Sequence, residues 1–380
     1  MPNFLFITLN DHVSWGGSEE LWSKTALSFV NDYEVTVLKK QWPTEHDCIK
    51  QILASGGNVV YKPIKKPKHN GGLTNKVLTK LKTVTPTSKN DFESIKDITR
   101  YNLAIISVGN HVDSKIVSYT SYLKHHNVPY IIVVQLATSL KNLNDMDIKR
   151  LQTAYNDAIG IGCLSIENRE VLKTQLGLTL KNVFKINNPF NYRQTYLKPK
   201  PNEVFQVACV AAYAMFHKGQ DLLLKLLSQE KWQQRKICFN LYGSGINENH
   251  LKKLIDLYNI KHLVRLRGHV ESKESIWSIN QACIMPSRME GQSLAMLEAM
   301  SFGRPIISTE VGAAPELIDD NVTGFLAKTF SVSFLDEALE RAWLKRNEWI
   351  EMGKLSRSKL FEVIKEDPIV TFSNKIKEFL

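Results

Sequence analysis

Residues 285–308 of the chain read MPSRMEGQSLAMLEAMSFGRPIIS. A buried strand is predicted to end at Pro286, a polar loop follows with Glu290 and Gly291, and a helix begins near Ser293. A strand, a glycine-bearing turn and a helix start present unpaired backbone N–H groups and the positive end of the helix dipole to an anion. This segment therefore predicts an anion-binding turn inside an α/β domain.

On either side of this stretch, short β-rich runs alternate with helical patterns of roughly 10–15 residues. That alternation predicts βαβ units and parallel sheets, and the nearly continuous Ile/Val/Leu runs indicate sheets covered on both faces. Helices are predicted at Glu19–Val30, Asp113–His125, Ile166–Gln175, Phe330–Arg346 and Asn347–Leu380. The predicted strands are Phe4–Leu9, Glu34–Lys39, Asn58–Tyr61, Leu103–Val108, Tyr130–Leu136, Ile159–Leu164, Val183–Ile186, Val204–Val210, Ile237–Tyr242, Val264–Leu266, Ala282–Met285 and Pro305–Ser308.

The chain is predicted to fold as two domains. Its 380 residues exceed the size at which one hydrophobic core keeps growing, and a Pro- and Asn-rich stretch interrupts the alternation near its middle. We expect an N-terminal Rossmann-like domain at 1–190, a linker at 191–203 and a second Rossmann-like domain at 204–365. Residues 366–380 are expected to form a terminal helix, and its packing back on the first domain is left open. Two doubly wound parallel sheets would then face a cleft.

Composition indicates a soluble, cytoplasmic protein. The five cysteines are scattered and form no C-x-x-C pair, which argues for a reducing compartment without disulfides or a zinc site. No apolar run approaches the roughly 18 residues of a membrane span. The opening residues lack the basic region of a signal peptide, so we interpret them as a first strand.

The net charge of +11 is concentrated in the first half of the chain. Residues 1–200 carry 26 basic and 16 acidic side chains, whereas residues 201–380 carry 23 and 22. The densest stretch is Lys62–Lys89, and no Asp or Glu occurs from Tyr61 to Asn90. It is either a solvated loop or a patch that binds anionic lipid or a phosphorylated acceptor. Lipid binding would place the protein peripherally on the cytoplasmic membrane face. No aromatic-basic motif accompanies the charge, so we expect no nucleic-acid partner.

Two acids flank the predicted anion-binding turn, Glu290 before it and Glu298 two turns into the helix. A carboxylate beside a phosphate site should point at hydroxyl groups, which a sugar offers; the alternative is a capping acid and a surface charge. From Pro286 to Leu326 the chain resembles the donor-site signature of glycosyltransferase family 4, whose members are retaining enzymes of the GT-B fold. The matching residues are Glu290, Glu298-Ala299-Met300, Gly303, Pro305-Ile306-Ile307, Gly312, Glu316, Ile318 and Gly324.

The resemblance implies a role for each part of this signature. Glu290 would bind hydroxyls of the donor sugar, and Glu298 would bind the ribose of the nucleotide. Backbone amides would hold the diphosphate and the sugar; they belong to Gly291, Gln292, Ser293 and Leu294.

A second segment, Val210–Leu224, resembles the family's segment that ends in a lysine-glycine pair. Lys218 falls where the family has a lysine on the departing diphosphate, and a cation there stabilises charge that grows in the transition state. The family's arginine six residues earlier is replaced by Ala212. The sequence therefore leaves three readings open: lower activity, a different donor pose, or a substitute cation such as Arg288. A surface lysine at a helix start is the structural alternative for Lys218.

Three further strand ends carry weaker signals. Gly243 resembles the family's turn under the nucleotide, and Gly268 with His269 resembles the segment that contacts the base. Gly17 follows the first strand and opens a helix, and the resemblance implies contact with donor phosphate or acceptor. A nicotinamide site is not expected, because the third glycine of G-x-G-x-x-G and an acid after the second strand are missing.

The acceptor side is expected to include Gln135 and His111. Gln135 stands where many family members have a histidine; it can hydrogen-bond a sugar hydroxyl but does not titrate. His111 either faces the acceptor or is a structural histidine. Asp145 and Asp147 form a D-x-D motif at a helix start, where acids are favoured anyway, so we expect no metal.

Together these features predict a retaining glycosyltransferase that moves a hexose-type sugar to a glycan or lipid-linked acceptor, in cell-surface polysaccharide or glycolipid synthesis. No cofactor is expected beyond a nucleotide-sugar co-substrate, with a UDP-sugar favoured over a GDP-sugar. The C-terminal domain would bind the donor and the N-terminal domain the acceptor. The alternatives are a GT-B-like sugar-nucleotide epimerase, a catalytically weak binding subunit and a membrane-surface adaptor.

Overall fold

A computed structural model describes residues 1–63, 91–190, 196–200 and 202–380. The chain divides into two compact units. Unit 1 consists of Met1–Cys163, Arg169–Ile186 and Ile369–Leu380, and unit 2 consists of Leu164–Asn168 and Asn187–Pro368. Each unit is built around its own sheet.

The sheet of unit 1 has, within the described residues, seven parallel strands in the order β3-β2-β1-β4-β5-β6-β7. Its central strand β4 is buried along its whole length, as expected for a sheet covered on both faces. The strands are β1 (Asn3–Thr8), β2 (Glu34–Lys40), β3 (Asn58–Lys62), β4 (Leu103–Val108), β5 (Tyr130–Val134), β6 (Gly160–Cys163) and β7 (Val183–Lys185). The helices of this part of the chain are α1 (Gly17–Phe29), α2 (Asp47–Ala54), α3 (Ser114–His125), α4 (Asp145–Asn156) and α5 (Ile166–Leu176).

The sheet of unit 2 has six parallel strands among the described residues, in the order β10-β9-β8-β11-β12-β13. The strands are β8 (Phe205–Val210), β9 (Ile237–Tyr242), β10 (Val264–Gly268), β11 (Ala282–Met285), β12 (Ile306–Thr309) and β13 (Gly324–Ala327). The helices are α6 (Met215–Lys218), α7 (Gln220–Leu227), α8 (Glu230–Gln233), α9 (Glu248–Leu257), α10 (Lys273–Ile279), α11 (Leu294–Ser301), α12 (Ala314–Leu317), α13 (Val332–Leu344) and α14 (Trp349–Val363), with a 3₁₀ turn at Arg346–Glu348. The last helix, α15 (Pro368–Lys377), belongs to unit 1 except for its first residue.

The predicted fold class, two doubly wound parallel sheets, is confirmed. Each predicted strand is present with ends within two residues of the expected ones, whereas β13 was not predicted because Gly-Phe-Leu-Ala is short and begins with glycine. The helix expected at Asn347–Leu380 is interrupted before Pro368, which starts α15 because proline fits the first turn of a helix but not its interior. In the described part of the chain no helix combines the length and apolarity that a bilayer span requires.

The strand order of unit 2 indicates which edge of its sheet is suited to bind a ligand. The chain runs from β8 outward to β9 and β10, then returns to the other side of β8 to form β11. Loops that leave β8 and β11 therefore diverge at their carboxyl ends, and such a switch point is where open α/β sheets bind ligands. These loops are residues 211–218 and 286–293.

Candidate functional site

The turn after β11 offers backbone donors to a ligand. Ser293 caps α11, and its Oγ accepts from the N–H of Met296 at 3.4 Å. Among the described residues, the N–H groups of the four positions before and at the helix start donate to no protein atom; they are Gly291, Gln292, Ser293 and Leu294. These are the amides predicted to hold a diphosphate, and their arrangement at a helix N-terminus suits an anion.

The two charged residues predicted to act on the donor meet in this turn. Nζ of Lys218 lies 2.7 Å from Oε1 of Glu290. Oγ of Ser287 donates to the same carboxylate oxygen at 2.8 Å. The side chains of Lys218 and Glu290 keep 26% and 11% of their surface exposed, so a ligand can reach both. Sequence reasoning missed Ser287, although its position three residues before Glu290 in one loop was a usable signal.

A glycine lets the two loops approach each other. Gly219 ends the short helix α6 with a left-handed φ of 63°. A Cβ at this position would lie 1.9 Å from the carbonyl oxygen of Pro286. Glycine is therefore required both for the backbone conformation and for contact with the end of β11. This contact places Lys218 beside Glu290.

Arg288 fastens the same two loops together. Its guanidinium forms a two-pronged ion pair with Asp221, at 2.8 and 2.6 Å, and also donates to the carbonyl of Met215 at 2.7 Å. The backbone N–H of Arg288 donates to the carbonyl of His217 at 2.8 Å. The hydrogen bonds to Asp221 raise the pKa of Arg288. These contacts join Arg288 to α6 and to the first turn of α7. Its role as a substitute phosphate cation for the exposed Ala212 position stays a prediction.

Glu298 and Gln292 are placed differently within the turn and α11. A carboxylate oxygen of Glu298 lies 3.7 Å from Nζ of Lys273, a loose ion pair at the partly open face of α11. The side chain of Gln292 instead faces protein, because its Oε1 accepts from the N–H of Asn188 at 2.6 Å and its Nε2 donates to Asn187. Gln292 therefore anchors the turn through its side chain while its backbone N–H stays available.

The weaker predicted positions lie at the neighbouring strand ends. Gly243 follows β9, and its N–H donates to the carbonyl of Gly268 at the end of β10, at 2.8 Å. His269 is exposed. The three residues thus lie on the same carboxyl edge of unit 2 as the Lys218–Glu290 pair.

In unit 1, Gly17 is exposed and starts α1, with Gly16 in the capping position. The adjoining Glu19 is only 4% exposed and accepts hydrogen bonds from four side chains: Thr8 Oγ1 at 2.6 Å, Asn10 Nδ2 at 2.9 Å, Trp22 Nε1 at 3.4 Å and Ser18 Oγ. This carboxylate holds the loop after β1 in place. Sequence reasoning missed it, since an acid in the first turn of a helix is ordinarily a surface residue.

The two predicted acceptor-side residues are buried. His111 is fully buried, and its Nε2 lies 2.6 Å from Oε1 of Gln175. Burial lowers the pKa of His111 to about 4, despite that hydrogen bond. Gln135 is also buried, with Nε2 3.4 Å from Oγ of Ser107. Of the two readings for His111, this geometry favours the structural histidine.

Lys62 does not belong to a surface patch. It is 6% exposed, and its Nζ donates to Asp11 at 3.0 Å and to the carbonyl of Thr8 at 2.6 Å. Asp11 also accepts from Nζ of Lys115 at 2.7 Å. Burial alone would raise the pKa of Asp11, but the two lysines outweigh it and lower that pKa. Residues 64–90, the rest of the predicted lysine-rich patch, lie outside the described residues.

The D-x-D motif occupies the first turn of α4. Asn144 caps that helix by accepting from the N–H of Asp147 at 2.9 Å. Across the described ranges, no group of three or more His, Cys, Asp or Glu side chains has a spacing that could hold a metal ion.

Comparison with solved structures identifies the fold. HepE from Anabaena in complex with UDP-glucose superposes with a TM-score of 0.74, at 15% identity over 100% of this chain and 99% of that one. TarM from Staphylococcus aureus, in a complex that contains UDP, gives 0.70 at 14% identity over 99% of both chains. The chain has the GT-B fold.

Comparison with sequences finds similarity to glycosyltransferases. Residues 205–344 match the family model described as glycosyl transferases group 1. The poly(ribitol-phosphate) alpha-N-acetylglucosaminyltransferase of S. aureus is 24% identical over 206 residues, which is 53% of this chain and 41% of that protein. The O-antigen biosynthesis glycosyltransferase WclY of Escherichia coli is 29% identical over 133 residues, 35% of this chain and 36% of that protein. The chain thus spans less than half the length of these curated relatives, and the matches support the group 1 glycosyltransferase family.

Proposed function

We propose that this protein is a retaining glycosyltransferase of family 4. It would move a hexose-type sugar from a nucleotide diphosphate sugar to a hydroxyl of a glycan or lipid-linked acceptor, in cell-surface polysaccharide or glycolipid synthesis at the cytoplasmic membrane face. The observation that carries the proposal is the contact of Lys218 with Glu290 at 2.7 Å beside four available backbone N–H groups. A UDP-sugar is the favoured donor, and the UDP and UDP-glucose bound by HepE support that choice.

Each group in the turn has a task in this reaction. The amides at the start of α11 and the ammonium of Lys218 bind the diphosphate, which gains negative charge as the bond from the anomeric carbon to phosphate oxygen breaks. Glu290 accepts hydrogen bonds from hydroxyls of the sugar and orients it. Glu298, in the second turn of α11, would accept from the ribose.

Retention of configuration follows if the acceptor attacks on the face from which the diphosphate leaves. The new bond joins the anomeric carbon to the acceptor oxygen, and the leaving phosphate oxygen takes the acceptor's proton. No protein base is needed for that transfer. The chemistry therefore requires no resident cofactor and no metal, only charge stabilisation and exclusion of water.

A second candidate function is a catalytically weak subunit that binds nucleotide sugars. It is favoured by the exposed Ala212 at the position of the family's arginine, and by the commitment of Arg288 to Asp221. Binding of UDP-glucose or GDP-mannose without turnover over a broad acceptor panel would select this candidate over the transferase.

The test uses Glu290→Ala and Lys218→Ala. Each is expected to lower release of nucleoside diphosphate from UDP-glucose or GDP-mannose at least about 10-fold, the scale of one lost charge-stabilising contact. The measurement is made with water and with an acceptor panel, and unfolding midpoints check that both variants fold. Glu351→Ala is the matched control, because Glu351 forms an exposed ion pair with Lys354 at 2.7 Å in unit 2. Wild-type rates in both site variants would remove these assignments.

A further inference from the structure

Lys218 and Glu290 form an ion pair with each other. Among the described residues, the ammonium of Lys218 donates to Glu290 alone, whereas Glu290 also accepts from Ser287 through the same oxygen, Oε1. Both side chains are partly buried, so water screens this pair less than a pair on the open surface. The pair is therefore a contact that a ligand must compete with.

A sugar nucleotide and a nucleoside diphosphate differ in what they offer Glu290 when the Lys218–Glu290 pair opens. Either ligand brings a diphosphate that attracts Lys218 away from Glu290. Only the sugar nucleotide also brings hydroxyl groups, and these can donate to Glu290 in place of the lost ammonium. A nucleoside diphosphate leaves the carboxylate without that replacement, and a partly buried charge that loses a partner is costly.

We propose that Glu290 competes with the ligand's diphosphate for Lys218, and that this competition makes the site favour the sugar nucleotide over the sugar-free product. The inference rests on the proposed function and concerns the same turn. After transfer, Glu290 no longer holds sugar hydroxyls and draws Lys218 back, which loosens the diphosphate. A ligand shifts an equilibrium only through its different affinities for two states, and this ion pair provides the difference.

The variant that isolates this effect is Glu290→Gln, which keeps the side-chain shape and removes the charge. We expect UDP to bind about 10-fold tighter than to wild type, which corresponds to about 1.4 kcal/mol, as measured by calorimetry. UDP-glucose should gain less, so the preference for the sugar nucleotide falls. GDP and GDP-mannose are measured in the same way, because the base is not fixed by the argument. Inhibition of turnover by UDP or GDP should strengthen in parallel.

A double-mutant cycle ties the gain to Lys218. Lys218→Gln should weaken UDP binding about 10-fold. Adding Glu290→Gln in that background should not tighten UDP binding, because the cation for which Glu290 and the diphosphate compete is gone. Glu351→Gln is the control: it removes the charge of the exposed Glu351–Lys354 pair and should leave UDP affinity unchanged. If Glu290→Gln does not fold, Glu290→Asp, which draws the carboxylate back from Lys218, should tighten UDP binding by a smaller factor.

The outcomes separate this inference from the proposed function. If wild type turns over a sugar nucleotide but Glu290→Gln binds UDP and GDP equally well or more weakly, the inference is wrong and the transferase stands. A tightening that persists in the Lys218→Gln background also overturns it. If wild type binds neither nucleotide nor sugar nucleotide, both proposals fail.

Discussion

The carboxyl edges of the two sheets use charge in different ways. In unit 2, Lys218 and Glu290 pair one to one and stay partly exposed. In unit 1, Glu19 and His111 are buried, and Glu19 is surrounded by four uncharged donors from its own unit. One edge can exchange its partners with a ligand, whereas the polar groups of the other are fixed by the protein.

This difference separates side chains that act on a ligand from side chains that hold a loop. A partly exposed ion pair can open when a ligand supplies groups that replace the lost contact. Removing the partners of a buried carboxylate whose oxygens all accept hydrogen bonds costs much more free energy. Substitutions in unit 2 should therefore change binding and rate, and those in unit 1 should mainly change stability. The exception in unit 2 is the glycine that brings the loops together.

The largest expected effect comes from Gly219→Ala. Its Cβ would overlap the carbonyl of Pro286, and the left-handed φ adds strain, so the free energy of unfolding should fall by about 4 kcal/mol. Turnover should be lost because Lys218 is displaced. Gly268→Ala is the matched control: its φ is 69°, but nothing lies within 4 Å of the added Cβ, so only about 1 kcal/mol should be lost. Chemical denaturation measures both, and equal losses would contradict the close approach of the two loops.

A smaller effect concerns His111 and pH. Because burial lowers its folded pKa to about 4, below the ordinary 6.5, the unfolded chain binds more protons between these values. Stability is therefore full above pH 6.5 and falls as the pH drops towards 4, by about 3 kcal/mol at most.

His111→Gln should remove this part of the pH dependence, measured as the difference in unfolding free energy between wild type and variant at pH 7 and pH 4.5. The exposed His125, replaced in the same way, serves as the control and should leave the pH dependence as in wild type. If the difference between pH 7 and pH 4.5 is the same in His111→Gln as in wild type, this histidine is not held neutral by the fold.

Much of the fold could be predicted from the sequence because its strands are local patterns. Leu103–Val108, Ile237–Tyr242 and Ala282–Met285 were predicted with the bounds that the structure has, since continuous apolar runs between turn residues identify buried strands. β13 lacked that signal. Pro368 was a visible signal for a helix break. The sequence did not show where the preceding helix ends, so the interruption was not predicted.

Site residues that lie in a recognisable motif could be predicted from the sequence. Residues whose role depends on whether the fold buries them could not. The resemblance of the segments around Glu290 and Lys218 to glycosyltransferase family 4 implied one site. The structure brings their charged atoms to 2.7 Å, while their roles stay predictions. His111 is different, because its partner Gln175 is 64 residues away. Glu19 shows the same limit: its local sequence is that of an exposed helix start, and only the assembled sheet buries it.

Hydrogen exchange of the full chain, with and without UDP-glucose or GDP-mannose, shows directly whether the turn after β11 binds a nucleotide sugar. We predict slower exchange of backbone amides at 286–298 and 213–219, with residues 349–363 of α14 unchanged as the internal reference. Protection that appears elsewhere in the chain but not at 286–298, or no protection with any sugar nucleotide, would mean that this turn is not the donor site.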